Sequence, residues 1–186
     1  RFGLFVHWGL YAIPAWHEQY QWRACVPRKE YEQLIHRFNP IRFAPEAWLD
    51  LAEEVGMKYI CFTTKHHDGY TLWPSAYGEI GVGKYLPGVD LVGRYIEACR
   101  KHDLKVGLYY SPPDWYFNRH YISFHFGSGD QQRFPDRQHF DMRHQPIDEI
   151  PHPPAGFQQD YEAYIHGQVV ELLTRYGQID LLWFDG

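Results

Sequence analysis

The sequence has no surplus of positive charge, no long apolar run and no cysteine framework, and each lack closes a class of function. Its 18 Lys and Arg against 23 Asp and Glu leave a net charge of −5. With both signs interspersed, no basic face is offered to nucleic acid. No run approaches the roughly 18–20 apolar residues that a membrane-spanning helix needs. The cysteines are 3 in number, so Cys25, Cys61 and Cys99 cannot all pair. They have no CxxC spacing, which leaves neither a disulfide framework nor a zinc knuckle. Cys61 sits in a strand-like run and Cys99 in a helix-like one, and both are expected as buried free thiols. No GxGxxG or Walker-type loop follows the first apolar run, which argues against a nucleotide fold. Helical metal spacings such as HExxH are missing as well, and no internal repeat or low-complexity tract is present.

What the chain does have is aromatic residues, 18% of the total with 7 Trp and 15 Tyr. They suit a core, and they also suit the flat apolar faces of sugars. Four apolar runs predict buried strands at Gly3–Trp8, Lys58–Thr63, Val106–Ser111 and Ile179–Phe184. They show little alternation, as parallel strands covered on both faces do. Between them, helical spacing predicts helices over Arg28–Phe38, Pro45–Val55, Asp90–His102 and Asp160–Tyr176. The alternation implies a parallel sheet with right-handed crossovers, either an open doubly wound sheet or the first half of a (β/α)8 barrel. His7, Trp8, His66, His67, Tyr109 to Trp115 and Asp185 all fall at the C-terminal ends of predicted strands. A barrel gathers its catalytic groups on that one rim, which favours the barrel.

Residues 116–158 interrupt the pattern. They are polar and proline-rich, hold five of the 12 histidines without ligand-type spacing, and predict a long loop over the active face. The chain opens at Arg1, directly before an apolar run, and stops one residue past Asp185. Both ends look cut through structure, so residues 1–186 are expected to be part of a catalytic domain, with any signal peptide upstream.

Three short stretches bear the chemistry. In Leu181-Leu182-Trp183-Phe184-Asp185-Gly186 an aspartate ends an apolar strand, where it is costly unless paired or used. It serves there as a nucleophile, base or metal ligand, or it caps the next helix. In Lys65-His66-His67-Asp68-Gly69 the two neighbouring imidazoles would point to opposite faces of a strand. Only a turn delivers both to one cavity; otherwise one is a core histidine and the other exposed. Phe5-Val6-His7-Trp8-Gly9 and Gly107-Leu108-Tyr109-Tyr110-Ser111 add a histidine, an indole and phenols. Together they describe a pocket of His, Trp, Tyr and Asp with few cations and no phosphate cradle, which suits a sugar.

On these words the chain resembles the alpha-L-fucosidases, family 29 of the glycoside hydrolases. The matching pieces are RFGLFVHWGLYAIPAW (1–16), FNP, IRF and APEAW within 38–48, KYICFTTKHHDGYTLWPS (58–75), DLVGRYIEACRKHDLKVGLYYSPPDW (90–115) and YGQIDLLWFDG (176–186). The resemblance implies a (β/α)8-like catalytic domain, often followed by a β-sandwich. It implies hydrolysis of terminal alpha-L-fucosides with retention, on a fucosylated glycan or glycoside, without metal or organic cofactor. It makes Asp185 the nucleophile, and it gives the substrate hydroxyls to His7, His66, His67 and Tyr109. Trp183 would line the same pocket. Glu18 corresponds to a Glu-Trp pair of some members, but Gln19 stands where the Trp would be.

The family's acid/base carboxylate lies beyond the nucleophile motif, so the segment alone is expected to be inactive. A secreted, periplasmic or lysosomal setting follows from the same resemblance. Three rivals remain. One is a metal-dependent hydrolase using His7, His66, His67 and Asp185. Another is a sugar-binding module without catalysis. The third is a barrel piece with no function of its own, whose open sheet edges predict aggregation.

Overall fold

The computed structural model describes residues 2–24, 26–121, 138–141 and 145–186. Cys25 and residues 122–137 and 142–144 of the predicted 116–158 loop lie outside them. Four parallel strands form the main sheet in the order β1 (Leu4–Val6), β2 (Tyr59–Lys65), β3 (Lys105–Tyr110), β6 (Leu181–Phe184). Register runs straight across, with Val6, Phe62, Leu108 and Leu182 side by side. This is the expected succession of β/α units, sequential strands lying next to one another and the helices crossing between them.

Side chains alternate across a strand, and the two faces of this sheet have different jobs. Ile60, Phe62, Val106 and Leu108 lie on the face packed by α4 (Pro45–Glu54) and α6 (Leu91–Lys101). The ring of Phe62 meets Trp48 at 5.7 Å and Tyr95 at 5.0 Å. The 90–101 segment is helical because Leu91, Val92, Tyr95, Ile96 and Cys99 recur on one stripe, all buried. Asp90 starts it, its side chain accepting from Gly93 N at 2.8 Å. Pro45 at the first turn of α4 fits for the same reason that it fails inside a helix: no amide is needed there.

Several details depart from the pattern in the sequence. The helix predicted over Arg28–Phe38 is broken into α2 (Arg28–Tyr31) and α3 (Gln33–Arg37). Bonds from Ile35 N to Glu32 O and from Phe38 N to Ile35 O span three residues, so the winding tightens there. The last long helix, α7 (Phe157–Arg175), starts before Asp160, directly after Gly156 with φ 89°. Two short helices, α1 (Tyr20–Arg23) and α5 (Val82–Tyr85), and a 3-10 turn at Leu10–Ala12 have no periodic signal because they are a single turn long. Within the stretch expected to be loop, β4 (His139–Phe140) and β5 (Pro146–Ile147) pair antiparallel. Cys61 and Cys99 are buried and free, as expected. Among the described residues no helix is long and apolar enough to cross a membrane.

Candidate active site

The face of the sheet away from α4 and α6 presents Phe5, Thr63, Tyr109 and Trp183. Phe5 meets Tyr109 at 5.9 Å and Trp183 at 5.5 Å, ring to ring. At the C-terminal end of β2 the ladder slips by one residue, so that Thr63 pairs with Tyr109 but Lys65 pairs with Tyr110. The extra residue, Thr64, gives its hydroxyl to Tyr109 O at 2.7 Å. A bulge reverses which side the following residues face. Lys65 therefore turns toward the helices, and His66 returns to the side of Thr63 and Tyr109.

The chain then turns at His66–Gly69, closed by Gly69 N on His66 O at 3.0 Å, with Gly69 at φ 83°. A Cβ at Gly69 would lie 2.6 Å from Asp114 Oδ1, so both conformation and space require glycine. This turn brings the two imidazoles to one cavity, their centroids 4.3 Å apart. Neither is a surface histidine: His66 is 2% exposed and His67 9%. His7 joins them from the end of β1, 4.7 Å from the Tyr109 ring and 5.5 Å from His66.

Asp185 follows β6 and continues its ladder, its amide donating to Tyr110 O at 3.2 Å. Its carboxylate faces the histidines. Tyr109 donates its phenolic proton to Asp185 Oδ2 at 2.5 Å, and His67 Nε2 stands 3.5 Å from the same oxygen. Burial, and then the bond and charge of Asp185, push the Tyr109 pKa far up, so the phenol stays a donor. Burial lowers all three histidines. It takes His66 down to about 2, and the neighbouring imidazoles add to the fall. His7 and His67 are lowered less simply, because Glu18 and Asp185 pull His7 back up and Asp185 does the same for His67. The cavity thus holds neutral imidazoles and one carboxylate. His66 Nδ1 and the Tyr11 hydroxyl are buried there without a hydrogen-bond partner, and Tyr11 packs 4.9 Å from His66.

Of the residues singled out in the sequence, His7, His66, His67, Tyr109 and Asp185 converge. Trp183 lies at the edge, half exposed against Phe5. Glu18 reaches His7 only through its charge, its carboxylate lying 3.3 Å from His17 Nδ1. Ser111, Asp68 and Asp114 stand within the stretches singled out in the sequence but, like Tyr31, are given no role there. Asp68 is buried beneath the histidines, accepting from Tyr31 Oη at 2.6 Å and Tyr70 N at 3.0 Å. Burial still raises its pKa to about 6. Asp114 accepts from Lys65 Nζ at 2.9 Å and Tyr164 Oη at 2.7 Å, while the ammonium also faces the rings of Tyr110 and Tyr164. The side-chain pairs bridge 37 to 50 positions of the chain, a separation at which no local pattern signals contact.

Three donor atoms, one each from His66, His67 and Asp185, lie within 4.8 Å of one another. A cation would find Asp185 Oδ1 free while Tyr109 holds Oδ2. A polyol makes a different demand. Its hydroxyls need scattered acceptors and donors on an aromatic surface, and that is the set assembled here.

The model of the alpha-L-fucosidase family matches residues 1–186. Alpha-L-fucosidase isoenzyme 1 from Paenibacillus thiaminolyticus superposes over 100% of this chain with a TM-score of 0.80 and 44% identity, covering 40% of that protein. An alpha-L-fucosidase from Bacteroides thetaiotaomicron, trapped as a covalent intermediate with 2-fluoro-fucosyl fluoride, superposes over 99% of this chain with a TM-score of 0.73 and 30% identity, covering 39% of that chain. The tissue alpha-L-fucosidase of Rattus norvegicus is 38% identical over 133 residues, which are 62% of this chain and 29% of that protein. The chain thus spans well under half the length of these relatives.

Proposed function

The chain belongs to the alpha-L-fucosidase family, and on that premise we propose that it supplies the nucleophile side of a retaining exo-glycosidase that releases terminal alpha-L-fucose. The observation that carries the reading is the setting of Asp185. One carboxylate oxygen, Oδ2, is held by Tyr109 at 2.5 Å, which orients the group and leaves Oδ1 to attack. The trapped intermediate of the Bacteroides thetaiotaomicron relative supports a covalent route.

In the first step Asp185 Oδ1 attacks the anomeric carbon, and a carboxylic acid about 5–5.5 Å away protonates the leaving oxygen. No such partner is assigned among the described residues. In the second step water attacks the anomeric carbon, the residue that served as acid takes the water's proton as base, and Asp185 leaves as the carboxylate. Tyr109 keeps its bond throughout and stabilises the charge that returns to Oδ2. His7, His66 and His67 take the ring hydroxyls as neutral imidazoles, while Trp183 and Phe5 offer apolar surface to the C5 methyl. Glu18 acts from the edge through His7. Bonds that tighten as the ring flattens act on kcat as well as on binding.

In the full-length protein, Asp185→Gly should nearly abolish fucoside hydrolysis, and azide should restore turnover with a fucosyl azide as product. Near-normal hydrolysis by Asp185→Gly would sink the assignment. The grouping of His66, His67 and Asp185 favours a metal-dependent hydrolase as a second reading. Chelation separates the two, since the fucosidase reading expects activity to survive EDTA. Fucose binding without turnover would point to the sugar-binding module instead.

A further inference from the structure

The hydrogen-bond accounts around His67 decide which way its bonds run. Ser111 Oγ contacts His67 Nδ1. The same hydroxyl donates to the Pro113 carbonyl at 2.8 Å. A hydroxyl has one proton to give, so with that proton on Pro113 O the contact closes only if Nδ1 carries the hydrogen. The Pro113 carbonyl, an acceptor by necessity, also faces the imidazole and acts on it in the same sense. Trp115 N on His67 O at 2.7 Å ties the turn to the exit of β3, so the ring and these acceptors keep their places.

We infer that Ser111 is a positioning residue that locks His67 as the Nδ1–H tautomer, so that Nε2 meets the ligand as an acceptor and receives a hydrogen bond from a sugar hydroxyl. Burial keeps the ring neutral, leaving Nε2 a lone pair. That lone pair stands 3.5 Å from Asp185 Oδ2, another acceptor, already bonded by Tyr109. Two acceptors face each other with no proton between them. A hydroxyl arriving there gains by donating a hydrogen bond to His67, and the order of preference is set before substrate binds. The inference rests on the fucosidase reading only for the identity of the sugar.

The test is the 15N–1H correlation spectrum of His67 in the full-length protein at neutral pH, assigned by loss of its signals in His67→Gln. The expected result is a protonated, pyrrole-type Nδ1 and a pyridine-type Nε2. A protonated Nε2 in the wild type overturns the inference, whatever the variants do. Ser111→Ala should convert His67 to a mixture of tautomers and raise KM for an aryl fucoside about tenfold, as one lost hydrogen bond does. Ser111→Thr, which keeps the hydroxyl, should restore the wild-type pattern. An unchanged tautomer in Ser111→Ala overturns the role given to Ser111. The spectrum needs no substrate, so an enzyme that fails to cleave fucosides refutes the proposed activity and leaves this test intact.

Discussion

Tyr109→Phe removes one oxygen and, with it, the proton that holds Asp185 Oδ2. The bond is short at 2.5 Å and made to a charged group, a type worth about 1.5–3 kcal/mol net. Its effect is not the same in the two chemical steps. While the ester forms, Oδ2 loses charge, so the bond weakens and its removal costs little. When the ester breaks, negative charge returns to the carboxylate and the phenol stabilises it. Breakdown of the fucosyl-enzyme should therefore slow by about 10–150-fold, with formation changed far less. An aryl fucoside with a good leaving group, mixed rapidly with the full-length Tyr109→Phe protein, should give a burst of aryl alcohol. Steady turnover should then be slow, with kcat and KM both reduced, since the intermediate accumulates. An unchanged kcat, or a fall in kcat with no burst and a raised KM, would refute this division of labour.

Three other perturbations follow from buried charge. His66 has its folded pKa depressed from 6.5 to about 2, so the unfolded chain binds a proton below pH 6.5 that the folded chain refuses. Its stability is complete above 6.5 and lost as pH falls toward 2, at up to about 1.4 kcal/mol per pH unit. Asp68, raised to about 6, works oppositely, its burden easing as pH falls through 6. His66→Gln should therefore flatten the acid loss seen in urea titrations, whereas Asp68→Asn should steepen it. Asp114→Asn leaves Lys65 buried and unpaired between two tyrosine rings and should cost about 3–5 kcal/mol in the same titration. A cost below about 1 kcal/mol would show that Lys65 is already neutral in the folded protein. Burial does lower its pKa, against the pull of Asp114.

The strand ends were legible because four apolar runs stop at polar residues, and the barrel rule turns that coincidence into one site. His7, Tyr109 and Asp185 could be placed together on this ground alone. The paired histidines could not. Strict alternation would have sent His66 and His67 to opposite faces, and only the ladder slip at Thr64 with the turn at Gly69 brings both rings inward. Neither the slip nor its consequence shows in hydrophobic pattern. The supporting shell was invisible for another reason. Lys65 with Asp114, and Tyr31 with Asp68, are pairs made across the fold, and in the sequence their members look like surface charges and a helix tyrosine. The broken helix at Glu32 shows the converse: periodicity reported the buried stripe of Tyr31, Leu34 and Ile35 correctly but not the tightened winding.

The central claim is that Asp185 forms the bond to the sugar. Incubating the full-length protein with 2-deoxy-2-fluoro-fucosyl fluoride, then digesting it and sequencing the labelled peptide by mass spectrometry, tests this directly. The account predicts one fluorofucosyl group, attached to Asp185, with activity lost in proportion to labelling. A label on another carboxylate, or an enzyme that turns over fucosides yet forms no adduct at Asp185, would contradict it.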